Sequence, residues 1–427
     1  MTDTTQAKEK KREILSWCLY DWAYSSFATT VISAVLPVYY SQVAARNLAG
    51  NTATVYWGYT TAIALIVSVL LAPVMGAIAD FSGIKKKLLL VFAAVGIFAT
   101  ALLYYVTTGD WLLASVLFIF GNIGFAMSEV FYNSLLPSIA DAKEIDRISV
   151  KGYALGYLGG GILLALDIGL IQIMHDKSLA TRITFITVSI WWAVFTIPLI
   201  LNVKEPAVRT RKKIDTGILT EGFRRLSVTF GELRKYRELF LFLAAFWIYN
   251  DGIGTISKMA AIYGAEIGIS QSALIGALLM TQFVGIPFSF AFGRLAGYIG
   301  VKNSIMLGLF VYTIISISSY FMETALHFFI LAFFVGTVQG GTQALSRSLY
   351  GSMLPKEKTA EFFGFYGMSS KFAGIFGPLA FAVVSQTTGT SRLSIISLIV
   401  FFIAGAILLS RVDIRKGINA ASGESPV

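Results

Sequence analysis

Ionisable residues lie inside several long apolar stretches of this chain, where a charged side chain is costly and is usually functional, and four of them are candidates for such a role. Asp21 and Asp251 are carboxylates, which can bind and release protons at such positions, although Asp21 can equally be paired structurally with a nearby cation. Glu129 and Arg347 carry opposite charges, so they can form an ion pair or hold the two ends of a dipolar ligand. These residue types therefore permit proton exchange and charge-assisted binding.

Glu129 and Arg347 occupy matched positions of two similar sequences. Each precedes by eight residues the proline that ends a short motif, NSLLP in one case and GSMLP in the other. At about 1.5 Å per residue of helix, Glu129 lies ~27 Å from Trp111 and Arg347 lies ~31 Å from Leu326, so both approach the same side. Two hypotheses follow. The pair closes a cytoplasmic gate, or it binds the ammonium and carboxylate of a zwitterionic substrate with help from two neighbouring glutamines.

The elements that must position these residues are transmembrane helices. Charged residues make up 14% of the 427 residues, against roughly 25% in soluble proteins, and apolar residues make up 56%. The mean hydropathy is +0.72. Twelve apolar segments each approach the ~20 residues that span a bilayer core: 16–42, 55–79, 88–107, 111–135, 148–174, 183–202, 238–266, 272–292, 303–322, 326–350, 362–386 and 392–410. The sequence predicts an all-α membrane protein with twelve transmembrane helices.

Polar residues are distributed among these segments with a period of three. The cores of the third, sixth, ninth and twelfth segments contain no charged residue, whereas the first, fourth, seventh and tenth all do. Their polar residues recur at steps of three, four and seven, which places each set on one helix face. The candidate substrate-binding or gating residues are Asp21, Trp22, Asn122, Glu129, Asn133, Asn250, Asp251, Gln339, Gln343 and Arg347.

A repeated motif indicates that the chain consists of two homologous halves. GAIADFSGIKKK at 76–87 and GRLAGYIGVKN at 293–303 share spacings of four, three and two residues, at an offset of 217 positions. NSLLP and GSMLP recur at an offset of 218. Such self-similarity is typical of internal duplication, and duplicated halves in a very apolar chain are typical of secondary transporters.

The distribution of basic residues predicts the topology and the domain boundaries. With the N-terminus inside, only five of the 34 Lys and Arg residues fall on the outer side: Arg46, Lys177, Arg182, Lys258 and Arg392. This asymmetry places both termini in the cytoplasm. The basic segment 204–237 is a cytoplasmic linker between an N-terminal six-helix bundle at 1–203 and a C-terminal bundle at 238–427. The net charge of +10 is thereby explained without nucleic acid.

Several motifs together resemble a known family. GAIADFSGIKKK is similar to the loop signature of the major facilitator superfamily, in which two six-helix bundles surround a central cavity. SWCLYDWAYSSFATTVISAVLPVYY, FYNSLLPSIA, GYALGYLGGG and GGTQALSRSLYGSMLP more narrowly resemble the bacterial relatives of the fungal autophagy-related vacuolar amino-acid effluxers. The resemblance covers nearly the whole chain. It implies a secondary transporter in a bacterial inner membrane, with amino acids as the substrate of the fungal members.

The resemblance also implies a role for the first copy of the loop motif. Gly76, Asp80, Gly83, Lys85 and Lys86 would form a conformational latch between the bundles. Gly83 permits the tight turn after Asp80, and the lysines supply cations to the loop. The alternative is that these residues only anchor the topology.

The predicted function is transport of a small polar solute, an amino acid or related metabolite, by alternating access with protons as a candidate coupling ion. Other solute classes (a drug, a lipid or a nucleoside) are the alternative. The resemblance disfavours drug–proton exchange, because the drug antiporters of the superfamily carry an arginine in helix 4 and Gly-Pro in helix 5, whereas residues 111–128 contain no arginine and GYALGYLGGG contains no proline. A membrane-embedded enzyme is also disfavoured, since one cysteine and two histidines offer no catalytic cluster. We expect no cofactor and no metal, and we expect a monomer.

Overall fold

The computed structural model describes residues 2–82, 84–139, 145–204, 224, 227–228, 230–354, 362, 365–366 and 374–422. The described residues form fifteen α-helices: α1 Thr2–Ser26, α2 Val35–Tyr39, α3 Thr52–Ser82, α4 Lys85–Leu102, α5 Trp111–Ile139, α6 Ile145–Ile173, α7 Lys177–Asn202, α8 Arg237–Glu266, α9 Gln271–Ile299, α10 Val301–Tyr320, α11 Ala325–Ser352, α12 Phe376–Thr388, α13 Ser391–Ser397, α14 Ile399–Ser410 and α15 Ile414–Ser422. The predicted all-α membrane class is confirmed.

Eleven helical stretches in the described residues are long and apolar enough to cross a membrane. They match the predicted segments except 362–386, which lies partly outside the described residues and is represented by α12. The first helical stretch differs in detail from the prediction because it begins at Thr2. Residues 2–13 are rich in good helix formers, which lets the helix extend beyond its apolar part.

The first membrane helix changes geometry around Pro37. It runs as a π-helix over Phe27–Ala34 and again over Tyr40–Ala44, with α2 between them. Proline has no backbone N–H and therefore cannot donate the regular bond to the carbonyl four residues earlier. We attribute the local widening to that missing bond, because a π-turn lets the neighbouring N–H groups bond to other carbonyls.

Internal contacts divide the chain into two units. Unit 1 comprises Met1–Asn47 and Leu70–Gly222, and unit 2 comprises Leu48–Val69 and Phe223–Val427. The predicted division at 204–237 assigns all of α3 to the N-terminal half, whereas the contacts group its first part with unit 2. Side chains of that part are bonded to α8 and to the region around α12, as described below.

Unit 1 is built on close helix pairs. In it α1 packs against α6 and α7, and α4 packs against α5. A Cβ at Gly124 would lie 2.4 Å from the backbone nitrogen of Gly96, so α4 and α5 meet backbone to backbone. Small residues permit this approach, which is the usual means of helix association in a membrane.

Unit 2 uses the same principle with different partners. Here α8 packs against α14, and α11 packs against α9 and α10. A Cβ at Gly405 of α14 would lie 2.7 Å from the Cβ of Tyr249, and a Cβ at Gly252 would lie 2.8 Å from the ring of Phe402. Each glycine therefore receives an aromatic side chain of the neighbouring helix, and this fixes the rotation of α8.

Corresponding contacts recur in the two units. The ammonium of Lys86 donates to the carbonyls of Ile200 and Val203 at 2.6 and 2.7 Å, at the end of α7. The ammonium of Lys302 donates to the carbonyls of Ser410 and Val412 at 2.7 and 2.8 Å, at the end of α14. Cations are favourable at helix C-termini, where carbonyls lack intrahelical partners.

This recurrence refines the sequence alignment by one position. The motif spacing matched Lys302 to Lys85, whereas the contacts match it to Lys86, because each capping lysine is the second residue of its helix. The duplication inferred from the motifs is thus visible as equivalent interactions inside each unit.

Candidate functional site

Asp251 lies on α8 and is 2% exposed. Its Oδ2 accepts a 2.8 Å hydrogen bond from the backbone N–H of Gly377, the second residue of α12. The first N–H groups of a helix have no intrahelical acceptor, and the helix dipole favours an anion at that end. The other carboxylate oxygen, Oδ1, is buried and has no hydrogen-bond partner among the described residues. One half of the carboxylate is therefore anchored and the other half is available to a ligand or proton.

Glycine is the only residue type that this contact admits at position 377. A Cβ at that position would lie 1.8 Å from Oγ1 of Thr255 and 2.6 Å from Oδ1 of Asp251. Thr255 follows Asp251 by one helical turn, and its hydroxyl donates to the Asp251 carbonyl at 2.7 Å. The carboxylate and the hydroxyl thus lie side by side against the backbone of α12.

Asp21 has an equivalent environment in unit 1. It lies on α1 and is 4% exposed. Its Oδ2 accepts a 3.3 Å bond from the hydroxyl of Tyr132, and its Oδ1 accepts a 3.4 Å bond from Ser25, one turn later. A Cβ at Gly156 of α6 would lie 2.6 Å from Oγ of Ser25 and 2.7 Å from Oδ1 of Asp21. Both units therefore place a buried carboxylate and a hydroxyl beside a glycine of another helix.

The tyrosine that contacts Asp21 is itself held in place. The rings of Trp17 and Tyr132 are stacked with centroids 4.2 Å apart, and Nε1 of Trp17 donates to the Tyr132 carbonyl at 3.1 Å. Trp22, the residue after Asp21, stacks on Trp191 at 5.6 Å, and a Cβ at Gly159 would lie 2.7 Å from its ring. The Nε1 of Trp22 is buried without a partner among the described residues.

Lys258 lies on the polar face of the seventh predicted segment but was not among the predicted binding or gating residues. The ammonium of Lys258 lies 3.9 Å from the position that a Cβ at Gly254 would occupy, so the side chain runs back along α8 toward Asp251. On the adjacent α11, Nε2 of Gln339 donates to Oγ of Ser257 at 3.4 Å. The signal in the sequence was the spacing of seven residues between Asp251 and Lys258, with Gly254 between them on the same helix face.

The other predicted binding or gating residues are distributed over both units. In unit 1, Asn122 is buried, Glu129 is half-buried and Asn133 is exposed. In unit 2, Asn250 and Gln339 are half-buried, and Gln343 and Arg347 are exposed on α11. The predicted pairing of Glu129 with Arg347 stays a prediction.

The predicted latch is only partly within the described residues. Gly83 lies outside them, and the side chain of Asp80 in α3 is not described, nor are the surroundings of Gly76. Lys85 is the first residue of α4 and is half-buried. Lys86 caps the end of α7, as noted above, so its described contacts are those of a helix cap. The latch stays a prediction.

A hydroxyl–carboxylate cluster in unit 2 has no counterpart in the sequence predictions. Oε2 of Glu266, at the end of α8, accepts bonds from Thr54 of α3 and from Ser391 at 2.6 Å. Ser391 is 2.9 Å from the hydroxyl of Ser385, and the amide of Asn51 donates to that hydroxyl at 2.7 Å. These bonds place the first part of α3 in unit 2. The partners are far apart in the chain, so no local spacing could have indicated them.

The described residues contain no group of three or more His, Cys, Asp or Glu side chains arranged to hold a metal ion. The polar groups around Asp21 and Asp251 described above are instead carboxylates, hydroxyls, an amide and the ammonium of Lys258. Such groups bind ions and polar solutes through hydrogen bonds and charge.

Comparisons with known proteins agree on a family. Residues 9–422 match the family model described as "Vacuole effluxer Atg22 like". An uncharacterized MFS-type transporter of Bacillus subtilis, YxiO, is 39% identical over 402 residues, which cover 92% of this chain and 93% of YxiO. Autophagy-related protein 22-1 of Penicillium rubens is 22% identical over 536 residues, covering 95% of this chain and 90% of that protein.

Solved structures agree on the fold. The nucleoside transporter NupG has a TM-score of 0.69 at 14% identity, covering 95% of this chain and 99% of that chain. The xylose transporter XylE from E. coli, in an inward open conformation, has a TM-score of 0.65 at 13% identity, covering 94% and 95%. Likeness at this identity concerns the fold alone. Taken with the family match, it shows that the chain belongs to the Atg22-like vacuole effluxer family and is a multi-pass transporter of the major facilitator type.

Proposed function

We propose that this protein is a secondary active transporter that moves an amino acid or a related small polar metabolite by alternating access, with protons as the coupling ion. The observation that carries the proposal is the recurrence of a buried carboxylate beside a glycine in each unit, at Asp21 with Gly156 and at Asp251 with Gly377. Ionisable residues within membrane helices are rare and usually mark ion or substrate pathways, which supports a role for these two acids in transport.

The physical reason is the free energy of an ionised carboxylate in an apolar environment. Without a compensating partner this free energy is unfavourable by several kcal/mol, and either a proton or a cationic group of the substrate removes the penalty. Asp251 satisfies only one of its oxygens within the described residues. Its occupancy by a proton or a substrate can therefore decide the relative stability of transport states.

The choice of an amino acid rests on the family. The fungal relatives are autophagy-related proteins, and the family model describes vacuole effluxers. The motifs quoted above resemble effluxers whose fungal members carry amino acids. NupG is a nucleoside transporter and XylE is a xylose transporter, but at this identity they share only the fold with this chain.

The proposal extends to the setting of the protein. YxiO is a bacterial relative, which supports a bacterial plasma membrane as the location. The asymmetry of basic residues supports cytoplasmic termini. We further propose that the protein works as a monomer without a cofactor and has no enzymatic activity.

The test is countertransport in proteoliposomes that contain the purified protein. Vesicles loaded with an unlabelled mixture of amino acids should take up labelled amino acids in a saturable manner, and an imposed pH gradient should change the rate. Asp21→Asn and Asp251→Asn should each abolish the response to the pH gradient. Uptake of nucleosides or sugars, with no exchange of any amino acid, would overturn the assigned solute class.

A further inference from the structure

The face of α8 that carries Asp251 also carries further polar groups, and two of their atoms have no hydrogen-bond partner among the described residues. Trp247, Asp251, Gly254 and Lys258 follow one another at steps of four, three and four residues, which places them on one side of the helix. Nε1 of Trp247 and Oδ1 of Asp251 are both buried without a hydrogen-bond partner among the described residues. A donor, an acceptor and an ammonium are thus aligned along about three turns of helix.

The geometry of Lys258 brings its charge toward Asp251 without forming an ion pair. The Cα atoms of Asp251 and Lys258 are about 10 Å apart along the helix axis, because the two residues are seven positions apart in the sequence. The ammonium reaches back to the level of Gly254, where the missing side chain leaves space for it. This leaves a gap of about one turn between the level of the ammonium and that of Asp251. The described residues offer the ammonium no hydrogen bond and no ion pair.

Asp251 cannot close this gap by moving toward the lysine at no cost. Its Oδ2 is bonded to the N–H of Gly377, and the backbone of α12 lies directly against Oδ1 and the hydroxyl of Thr255. Moving the carboxylate would leave the Gly377 N–H without an acceptor. A buried donor without a partner destabilises the protein.

Two separated charges of opposite sign are matched by a ligand that carries both. A proton would satisfy Asp251 but would leave Lys258 without an anion, and an anion alone would leave Asp251 unsatisfied. The amide of Gln339, which lies beside Ser257, supplies further hydrogen-bonding capacity next to Lys258. A dipolar head group would satisfy every one of these groups at once.

We propose that this face of α8 binds the zwitterionic head group of an α-amino acid, with the ammonium at Oδ1 of Asp251 and the carboxylate at the ammonium of Lys258. This assignment rests on the proposed function, because it specifies how the same transporter recognises its solute. It adds Lys258 to the binding residues and makes Gly254 the residue that gives the lysine its path.

The experiment compares ligands that carry one charge or two. Each of the twenty amino acids is tested as a competitor of labelled uptake into proteoliposomes, and the best competitor is then compared with its amine and carboxylic acid analogues. For leucine these are isoamylamine and 4-methylpentanoate. The wild type should bind the amino acid more than about tenfold more tightly than either analogue, since each lost charge contact costs at least about 1.4 kcal/mol.

Variants assign each charge to its partner. Lys258→Gln should lower the affinity for the amino acid by more than about tenfold and leave the affinity for the amine analogue within about twofold of wild type. Asp251→Asn should lower the affinity for both the amino acid and the amine. Lys87→Gln is the matched control, because it makes the same chemical change at an exposed position of α4 in unit 1. Ligand-induced thermal shifts of the purified variants measure the same ratios independently of transport.

The outcomes separate this inference from the proposed function. If the wild type exchanges amino acids but Lys258→Gln keeps the wild-type ratio between amino acid and amine, the inference is wrong and the proposed function stands. If the wild type exchanges no amino acid and none raises its melting temperature, the assigned solute class fails, and the inference fails with it.

Discussion

The backbone N–H of Gly377 donates a 2.8 Å hydrogen bond to Oδ2 of Asp251, across 126 residues of sequence. This bond joins the middle of α8 to the first turn of α12. It depends on a glycine because the hydroxyl and the second carboxylate oxygen occupy the space of a side chain. The contact therefore couples the position of α12 to whatever occupies the free oxygen of Asp251.

Gly377→Ala should impair transport strongly. The new methyl group would lie 1.8 Å from Oγ1 of Thr255, so α12 must move away from α8 and the hydrogen bond to Asp251 must lengthen. Such overpacking typically costs about 1–3 kcal/mol of stability. Uptake rate and thermal unfolding of the purified variant measure the two effects.

Gly276→Ala on α9 is the matched control for that variant. Its methyl group would lie 3.6 Å from the ring of Phe329, an ordinary contact. Wild-type activity in Gly377→Ala, or an equal loss in Gly276→Ala, would contradict a specific role for the Gly377 contact.

Gly156→Ala tests the equivalent contact in unit 1. The methyl group would lie 2.6 Å from Oγ of Ser25 and 2.7 Å from Asp21, so the carboxylate must rotate away from α6. We expect more than about a tenfold loss of transport rate, since displacement of a functional group by about 1 Å can cost about a hundredfold. Gly161→Ala on the same helix has nothing within 4 Å of its methyl group and should retain activity. Equal activity of both variants would show that Asp21 is not positioned by this glycine.

Lys86→Gln and Lys302→Gln should each lower the melting temperature. Each lysine donates to two carbonyls at the end of a helix, and loss of charged hydrogen bonds of this kind costs about 1–3 kcal/mol. The effects should be similar because the two caps are equivalent. Lys87→Gln, at an exposed position of α4, should unfold at the wild-type temperature. A shift confined to one of the two capping variants would argue against the equivalence.

Glu266→Ala should destabilise unit 2. It leaves the hydroxyls of Thr54 and Ser391, both fully buried, without their carboxylate acceptor. The expected loss is about 1–3 kcal/mol, and Glu266→Gln, which keeps an acceptor oxygen, should lose less. Thermal unfolding measures both.

Glu323→Ala is the control for that pair of variants because, within the described part of the chain, the Glu323 carboxylate is exposed and forms a 3.9 Å ion pair with Arg392. Exposed pairs of this kind contribute about 0–1 kcal/mol. If Glu266→Ala and Glu323→Ala unfold at the same temperature, the cluster does not hold the first part of α3 in unit 2.

Asp80→Asn tests the latch predicted from the repeated motif. The carboxylate is expected to act in switching between states and not in folding, so transport should fall while the amount of protein in the membrane stays at the wild-type level. Uptake normalised to purified protein is the measurement. Unchanged uptake would leave the motif with only its topological role.

Local spacing was sufficient to predict the helices and the acids within them. An apolar stretch of about 20 residues has few alternatives to a membrane helix, because every backbone polar group must be bonded internally. A charge inside such a stretch is costly enough to indicate function, which made Asp21 and Asp251 candidates, and both are buried in the structure. The repeated motifs likewise predicted the duplication that the lysine caps display.

Only the tertiary structure decided what those acids touch. Gly377 is 126 residues from Asp251 in the sequence, and Gly156 likewise lies on a different helix from Asp21. No local pattern around either acid could therefore indicate its glycine partner. The direction of the Lys258 side chain depends on space above Gly254, and the placement of residues 48–69 in unit 2 depends on hydroxyls that reach Glu266. The periodicity of one helix determines which of its faces is polar. Which backbone approaches that face is decided by packing between helices, where the presence or absence of a single Cβ sets the distance.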